Sequence, residues 1–281
     1  MSAGGRVAAF AALLVAIFAG AALAGAALDP DGAAAEREHA AGQDAEHGSA
    51  HASAPSADEA LPAGLAGAQD GLRLVAAGTR FQARRPGRMR FRIAGPGGAT
   101  VRAFEAEQAR RMHVIVVRRD LRRYQHLHPV QGPDGAWSTR LTLPDAGVYR
   151  VFADFRTAGE RHTLGTDLFV AGNFRPLDLP AHSNSASVDG YDVRLAEREP
   201  GELSFLVRRD GRAVTDLQPY LGARGHLVAL RAGDLAYRHV HPIDGPGPEI
   251  AFETGAPEAG RQRLFLQFRH RGRVHTAAFT R

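Results

Sequence analysis

The sequence predicts an all-β protein: two tandem immunoglobulin-like β-sandwich domains behind an N-terminal signal peptide or transmembrane helix. The first observation is an internal repeat, which divides the chain before any fold is argued. His113, Tyr124, His126, His128, Pro129 and His162 are matched by His226, Tyr237, His239, His241, Pro242 and His275, every pair 113 residues apart. From Arg111 to Thr163 the copies align without a gap, 19 of 53 positions are identical, and all four histidines are among them. The second observation is that each copy reads as seven short apolar runs separated by Gly, Pro and Asp, with no long helical periodicity. The third is an apolar run, Val7 to Leu28, at the start of the chain.

Taken in order, residues 1–28 carry Arg6, an Ala/Leu-rich stretch and small residues at Ala22-Leu23-Ala24, the pattern of a secretory signal. The apolar run is also long enough to span a bilayer if it is retained. With Arg6 before it and Asp29-Pro30-Asp31 after it, the remainder is expected outside the cytoplasm, secreted or anchored to the plasma membrane. Residues 29–68 hold Ala, Gly, Ser, Asp and Glu with almost no large apolar side chain, and read as a disordered tether. His39, His47 and His51 within it are given no role. The first sandwich is expected over 69–171, with strands at 72–76, 88–94, 113–118, 124–128, 137–143, 148–156 and 162–170. Residues 172–188 form a linker. The second sandwich follows over 189–281, with strands at 191–196, 202–208, 226–231, 235–241, 249–253, 261–269 and 273–280.

Composition removes several functions. All 35 basic residues are arginine, and the net charge is +5. Along Arg88-Met89-Arg90-Phe91-Arg92-Ile93 the arginines alternate with apolar residues, which makes a solvated strand face rather than a nucleic-acid-tracking patch. Cysteine is absent, which excludes disulfides, thiolate metal sites and thiol catalysis. No serine elbow and no catalytic carboxylate pair is present, so an enzyme is not the expected reading.

Imidazole is the commonest protein metal ligand, so the duplicated set His113, His126, His128, His162 and His226, His239, His241, His275 predicts metal binding. His239 and His241 are two apart and share one face of a strand. Gly233-Asp234 is a strong two-residue hairpin signal. A hairpin centred there sets His226 opposite His241 and Val228 opposite His239. The equivalent centre in the first copy falls between Asp120 and Leu121, a poorer turn, so the second copy is the better candidate. Whether His162 and His275 reach the other three depends on strand order. Neutral imidazoles without thiolate suit Cu(II), Zn(II) or Ni(II), with copper or zinc the expected cofactor. Two sites would suit buffering or delivery of the metal; the sequence leaves open whether the copies share one. The alternatives are an envelope interaction module whose histidines are structural, and a copper redox enzyme.

The ligand chemistry and architecture resemble extracytoplasmic cupredoxin-like and copper-resistance sandwiches. The segments Pro219-Tyr220-Leu221-Gly222-Ala223-Arg224-Gly225-His226, His239-Val240-His241-Pro242 and Val274-His275-Thr276-Ala277-Ala278-Phe279 resemble, more specifically, uncharacterised secreted or membrane-anchored proteins of high-G+C bacteria with repeated His-x-His-Pro motifs. That resemblance covers the second copy well and the first in part, and implies an exported sandwich rather than an activity. The expected partners are therefore a metal ion and the cell envelope, with no nucleic acid.

Overall fold

The strand His113–Arg118 is buried along its whole length. A sandwich strand with one wet face alternates apolar with polar, so a strand buried throughout is covered on both sides. In the computed structural model the second cover is the other repeat. The structure describes residues 62–243, 245, 247–255 and 259–281. The expected signal or membrane helix over 1–28, and most of the expected tether, lie outside the described residues, as does the side chain of His241. Among the described residues no helix is long and apolar enough to cross a membrane.

The first repeat contains β1 (Ala68–Gln69), β2 (Leu72–Ala76), β3 (Arg80–Phe81), β4 (Pro86–Ala94), β5 (His113–Arg118), β6 (Arg122–Leu127), β7 (Val130–Gln131), β8 (Trp137–Thr142), β9 (Gly147–Thr157) and β10 (Glu160–Val170). The second contains β11 (Ser185–Val188), β12 (Tyr191–Glu199), β13 (Glu202–Arg209), β14 (Arg212–Ala213), β15 (His226–Arg231), β16 (Tyr237–Ile243), β17 (Glu249–Glu253), β18 (Gln262–His270) and β19 (Arg273–Thr280). The protein is all-β, and each repeat is a β-sandwich. In the first, a sheet of order β1-β2-β4-β8-β7 faces a sheet of order β3-β10-β9-β5-β6. Met89, Phe91 and Ile93 from one sheet meet Val114, Val116, Ala153 and Phe155 from the other, all almost fully buried. The second repeat builds the equivalent core from Phe205, Phe252, Leu227, Leu266, Phe268 and Phe279.

The His-x-His-Pro motif marks the corner where a strand changes sheets. β16 pairs with β15 through Leu227↔Val240 and Val228↔His239, then with β17 through His241↔Glu253 and Pro242↔Phe252. In the first repeat the same run is broken into β6 on β5 and β7 on β8. The hairpin registers are those the turns predict: Val228 faces His239, and Ile115 faces His126. The poorer turn of the first copy is taken up by a bulge between Val116 and Arg118, with Leu121 and Arg123 at φ 60° and 58°.

The outer faces of β5, β6 and β9 pack on those of β15, β16 and β18. Ile115, Val117, Leu121 and Phe152 meet Val228, Leu230, Leu235, Tyr237 and Phe265 in a third buried cluster. Burying each such aliphatic or aromatic side chain contributes roughly 1.5–3 kcal/mol, which holds the repeats together. The contact is reciprocal, as in a two-fold dimer. Tyr124 stacks on Phe265 at 4.1 Å between ring centroids, and its counterpart Tyr237 stacks on Phe152, the counterpart of Phe265, at 5.1 Å. A strap of residues 62–67 crosses this seam. The Tyr237 amide donates to Ala63 O, the Gly64 amide to Thr163 O, and Arg150 donates to the carbonyls of Gly64 and Leu65 at 2.6 and 2.7 Å.

Candidate functional site

Strand parity decides where each histidine points. On β5, Val114 and Val116 enter the core of their own repeat, so His113, Ile115 and Val117 face the other repeat. The same alternation on β15 sends His226 across the seam, and β6 and β16 add His126 and His239. The two histidine sets therefore meet at a single inter-repeat cluster. His126 lies 4.4 Å from His226 between ring centroids and 4.6 Å from His128. His226 lies 4.8 Å from His239, and His113 is 5.3 to 5.7 Å from His126, His128, His226 and His239.

His162 and His275 do not belong to this cluster. His162 pairs with Phe155 across β9 and β10, whereas His113 pairs with Asp154, one residue away and hence on the opposite face. His275 pairs with Phe268 and His226 with Gln267, in the same relationship. Each of these two histidines turns instead toward the aspartate that opens its own repeat. His162 Nδ1 lies 3.5 Å from Asp70, and His275 Nδ1 bonds Asp189 at 2.7 Å. Both expected ligands therefore lie apart from the cluster, each within its own sandwich.

Three first-copy histidines lie close together at this cluster. One ring nitrogen from each of His113, His126 and His128 lies within 4.8 Å of the other two, the one such group of three among the described residues, and His113 Nδ1 shares a 3.0 Å hydrogen bond with His126 Nε2. His239 is tied up instead: its Nδ1 donates to Asp154 Oδ2 at 2.6 Å, and its Nε2 meets Gln108 Oε1 at 3.0 Å. Asp154, 2% exposed, also accepts from Tyr237 OH and Thr163 Oγ1. The residue matching Asp154 is Gln267, whose amide contacts His126 Nδ1 at 2.7 Å. The clustered set among the described side chains is thus drawn from the first copy.

The surrounding bonds orient that set. His113 Nε2–H donates to Glu107 O at 3.0 Å, leaving Nδ1 as the lone-pair nitrogen. An imidazole held from behind by a backbone carbonyl is the usual arrangement of a metal-ligating histidine. The supporting turn is a two-residue hairpin from Glu107 to Arg110, closed by mutual backbone bonds of 2.7 and 3.0 Å. Gln108 and Ala109 both have positive φ, 45° and 61°, a strained conformation for side chains with a Cβ. It places the Gln108 amide against His239. The second repeat carries the matching turn, Tyr220 to Ala223, with Leu221 where the first has Gln108.

Burial keeps these rings neutral. It pushes His113 down to about 4, helped by the neighbouring His239 and Arg110 and opposed by Asp154. It pushes His128 down to about 4 as well, with His113 and Arg110 adding to the effect. His126 and His226 are held well below the ordinary histidine value by burial and by the adjacent imidazoles. Burial raises Tyr124 and Tyr237 well above the usual phenol range, so both remain protonated. Nε2 of His128, both nitrogens of His226 and the Tyr124 hydroxyl are buried without a hydrogen-bond partner.

Sequence reasoning found five members of this cluster but missed Gln108, Asp154 and Gln267 as its supports. The available signal was a polar residue inside an apolar strand, Phe152-Ala153-Asp154-Phe155 and Phe265-Leu266-Gln267-Phe268.

Among solved structures, the chain is similar to an Escherichia coli adhesin, FdeC, at 13% identity and TM-score 0.27, over 75% of this chain and 64% of that one. It is similar to a two-domain fibronectin type III segment of chicken tenascin at 9% identity and TM-score 0.23, over 74% and 95%. A membrane-anchored protein from Corynebacterium diphtheriae matches at 14% identity and TM-score 0.24, over 75% and 57%. Comparison with curated protein sequences gives no match. A family model described as Domain of unknown function (DUF8832) matches twice, over residues 67–172 and 186–281, one match to each repeat, and the chain belongs to that family.

Proposed function

We propose that the protein is an exported module that holds one transition-metal ion, copper or zinc, through His113, His126 and His128. The observation that carries this reading is the convergence of three neutral imidazole nitrogens within 4.8 Å, in an interior where further ring nitrogens have no partner. Buried polar groups in folded proteins are nearly always satisfied, and each one left unmade costs about 1–3 kcal/mol. A ligand set awaiting an ion accounts for the exception. The route to it is a surface cleft of about 380 Å³ lined by His128, Arg110, Tyr220 and Arg269. Three nitrogens without sulfur suit Cu(II) or Zn(II), and buffering or delivery outside the cytoplasm is the role such a site fits.

The experiment is metal content by mass spectrometry after loading with copper or zinc and removing the excess. About one equivalent per chain, lost in His126→Ala/His128→Ala and kept in His162→Ala, supports the reading. Full stoichiometry in the double variant sinks it.

A second reading, an envelope interaction module with structural histidines, is favoured by the hydrogen bonds that cross the seam. His239–Asp154, His239–Gln108 and His126–Gln267 each join one repeat to the other. A wild-type chain that retains no metal, yet loses its inter-repeat docking when His239 is replaced, would select this second reading.

A further inference from the structure

We infer that His226 is the fourth ligand of the ion, so that the metal closes its site across the seam and clasps the two repeats together. The inference rests on the metal-holding reading above and adds to it the residue that makes the site a joint one. His226 is 1% exposed, and neither of its ring nitrogens has a partner. Its counterpart His113 is fixed by the carbonyl of Glu107, which also accepts the Arg110 amide; the corresponding carbonyl, Tyr220 O, accepts the matching Ala223 amide but makes no bond to His226. The second repeat thus leaves the His226 ring unanchored, between His126 at 4.4 Å, His239 at 4.8 Å and a stacked His113 at 5.7 Å.

A structural histidine in such a place would spend its N–H and its lone pair on neighbours. This one spends neither. Terminal ring torsions of histidine are soft, so the imidazole can turn without moving the backbone of β15. Four nitrogens at 2.0–2.1 Å around a tetrahedral ion stand roughly 3.3 Å apart. The 3.0 Å between His113 Nδ1 and His126 Nε2 is already near that spacing. Three protein ligands leave an open position for chemistry, whereas four close the site and make it a holding site. Because three ligands come from one repeat and the fourth from the other, occupancy and docking become one equilibrium. Metal bound only in the docked state stabilises docking by its own binding free energy.

The test is zinc chloride titrated calorimetrically into the intact, chelator-treated chain, with amide hydrogen exchange followed on the same samples. With zinc at 100 times its dissociation constant, amides of both His113–Arg118 and His226–Arg231 that exchange by opening of the seam should slow ~100-fold. In His226→Gln and His226→Phe the affinity should fall by more than the roughly 10–100-fold that loss of an outer-shell partner causes. Slowing confined to His113–Arg118, or variant affinity within about twofold of wild type, overturns the clasp while leaving the three-histidine site standing. A wild-type chain that takes up neither zinc nor copper overturns both. If either variant fails to show the wild-type circular dichroism without metal, the wild-type exchange pattern decides alone.

Discussion

Asp154 of the first repeat accepts a 2.6 Å hydrogen bond from Nδ1 of His239 of the second, with both side chains almost wholly buried. The same carboxylate receives the hydroxyl of Tyr237, so it ties two residues of β16 to β9. Removing one partner of a buried, hydrogen-bonded pair leaves the other uncompensated, at a typical cost of 3–5 kcal/mol. Asp154→Ala is therefore expected to lose about 3 kcal/mol or more in urea denaturation. Asp154→Asn, which can still accept from His239, should lose clearly less. Equal losses in the two variants would show that the side-chain volume, and not the hydrogen bonds, carries the effect.

The elements that were legible in the sequence are those governed by local rules. Gly233-Asp234 sets the β15–β16 register, and the pairing Val228↔His239 follows from it. The shared site was not legible, because it depends on two sheets meeting face to face, and no local rule specifies which face of a strand finds a partner. Its trace is present in His113-Val-Ile-Val-Val-Arg118, apolar on both faces where a half-wet strand would alternate. The partners of His239 were hidden for a related reason. Turn quality ranks the hairpins, but Asp154 and Gln108 arrive from the other repeat to occupy His239.

His162 and His275 stand apart from the inter-repeat cluster. His162 packs its ring 5.6 Å from that of Phe155 and faces Asp70, and His275 holds Asp189. Replacing either by alanine removes buried packing, and for His275 also its hydrogen bond to Asp189, for an expected loss of about 2 kcal/mol. Metal stoichiometry should be unchanged. Mass spectrometry on the two variants checks this, and a lost equivalent of metal in either one would return that histidine to the ligand set.

The neutral cluster makes the metal-free protein acid-sensitive. His113, 2% exposed, titrates at about 4 when folded against 6.5 as its ordinary value. Between those values the unfolded chain binds more protons, so stability rises with pH across that window. The contribution is complete above pH 6.5 and is lost as pH falls toward 4. At 1.36 kcal/mol per unit, His113 alone accounts for roughly 3 kcal/mol. His126 and His226 shift in the same direction. Urea midpoints measured with a chelator at pH 7.5, 5.5 and 4.5 should fall in that order. A flat profile would mean that the rings are solvated, and the closed seam would then be wrong.

The strap makes the seam sensitive to a residue that touches no histidine. A Cβ placed on Gly165 would lie 2.1 Å from Gly64 O and 2.2 Å from Arg150 Nη2, the two groups whose hydrogen bond anchors residues 62–67. Neither the carbonyl nor the buried guanidinium can withdraw without breaking that bond. Gly165→Ala is expected to cost about 1–3 kcal/mol, the usual range for overpacking a filled interior. The loss should be local first. Limited proteolysis should cut the variant within residues 62–67 before either sandwich opens, because strap and sandwiches are held by different contacts. Simultaneous cleavage throughout the chain would show instead that the strap is part of the cooperative core, and that Arg150 stabilises the two repeats through it.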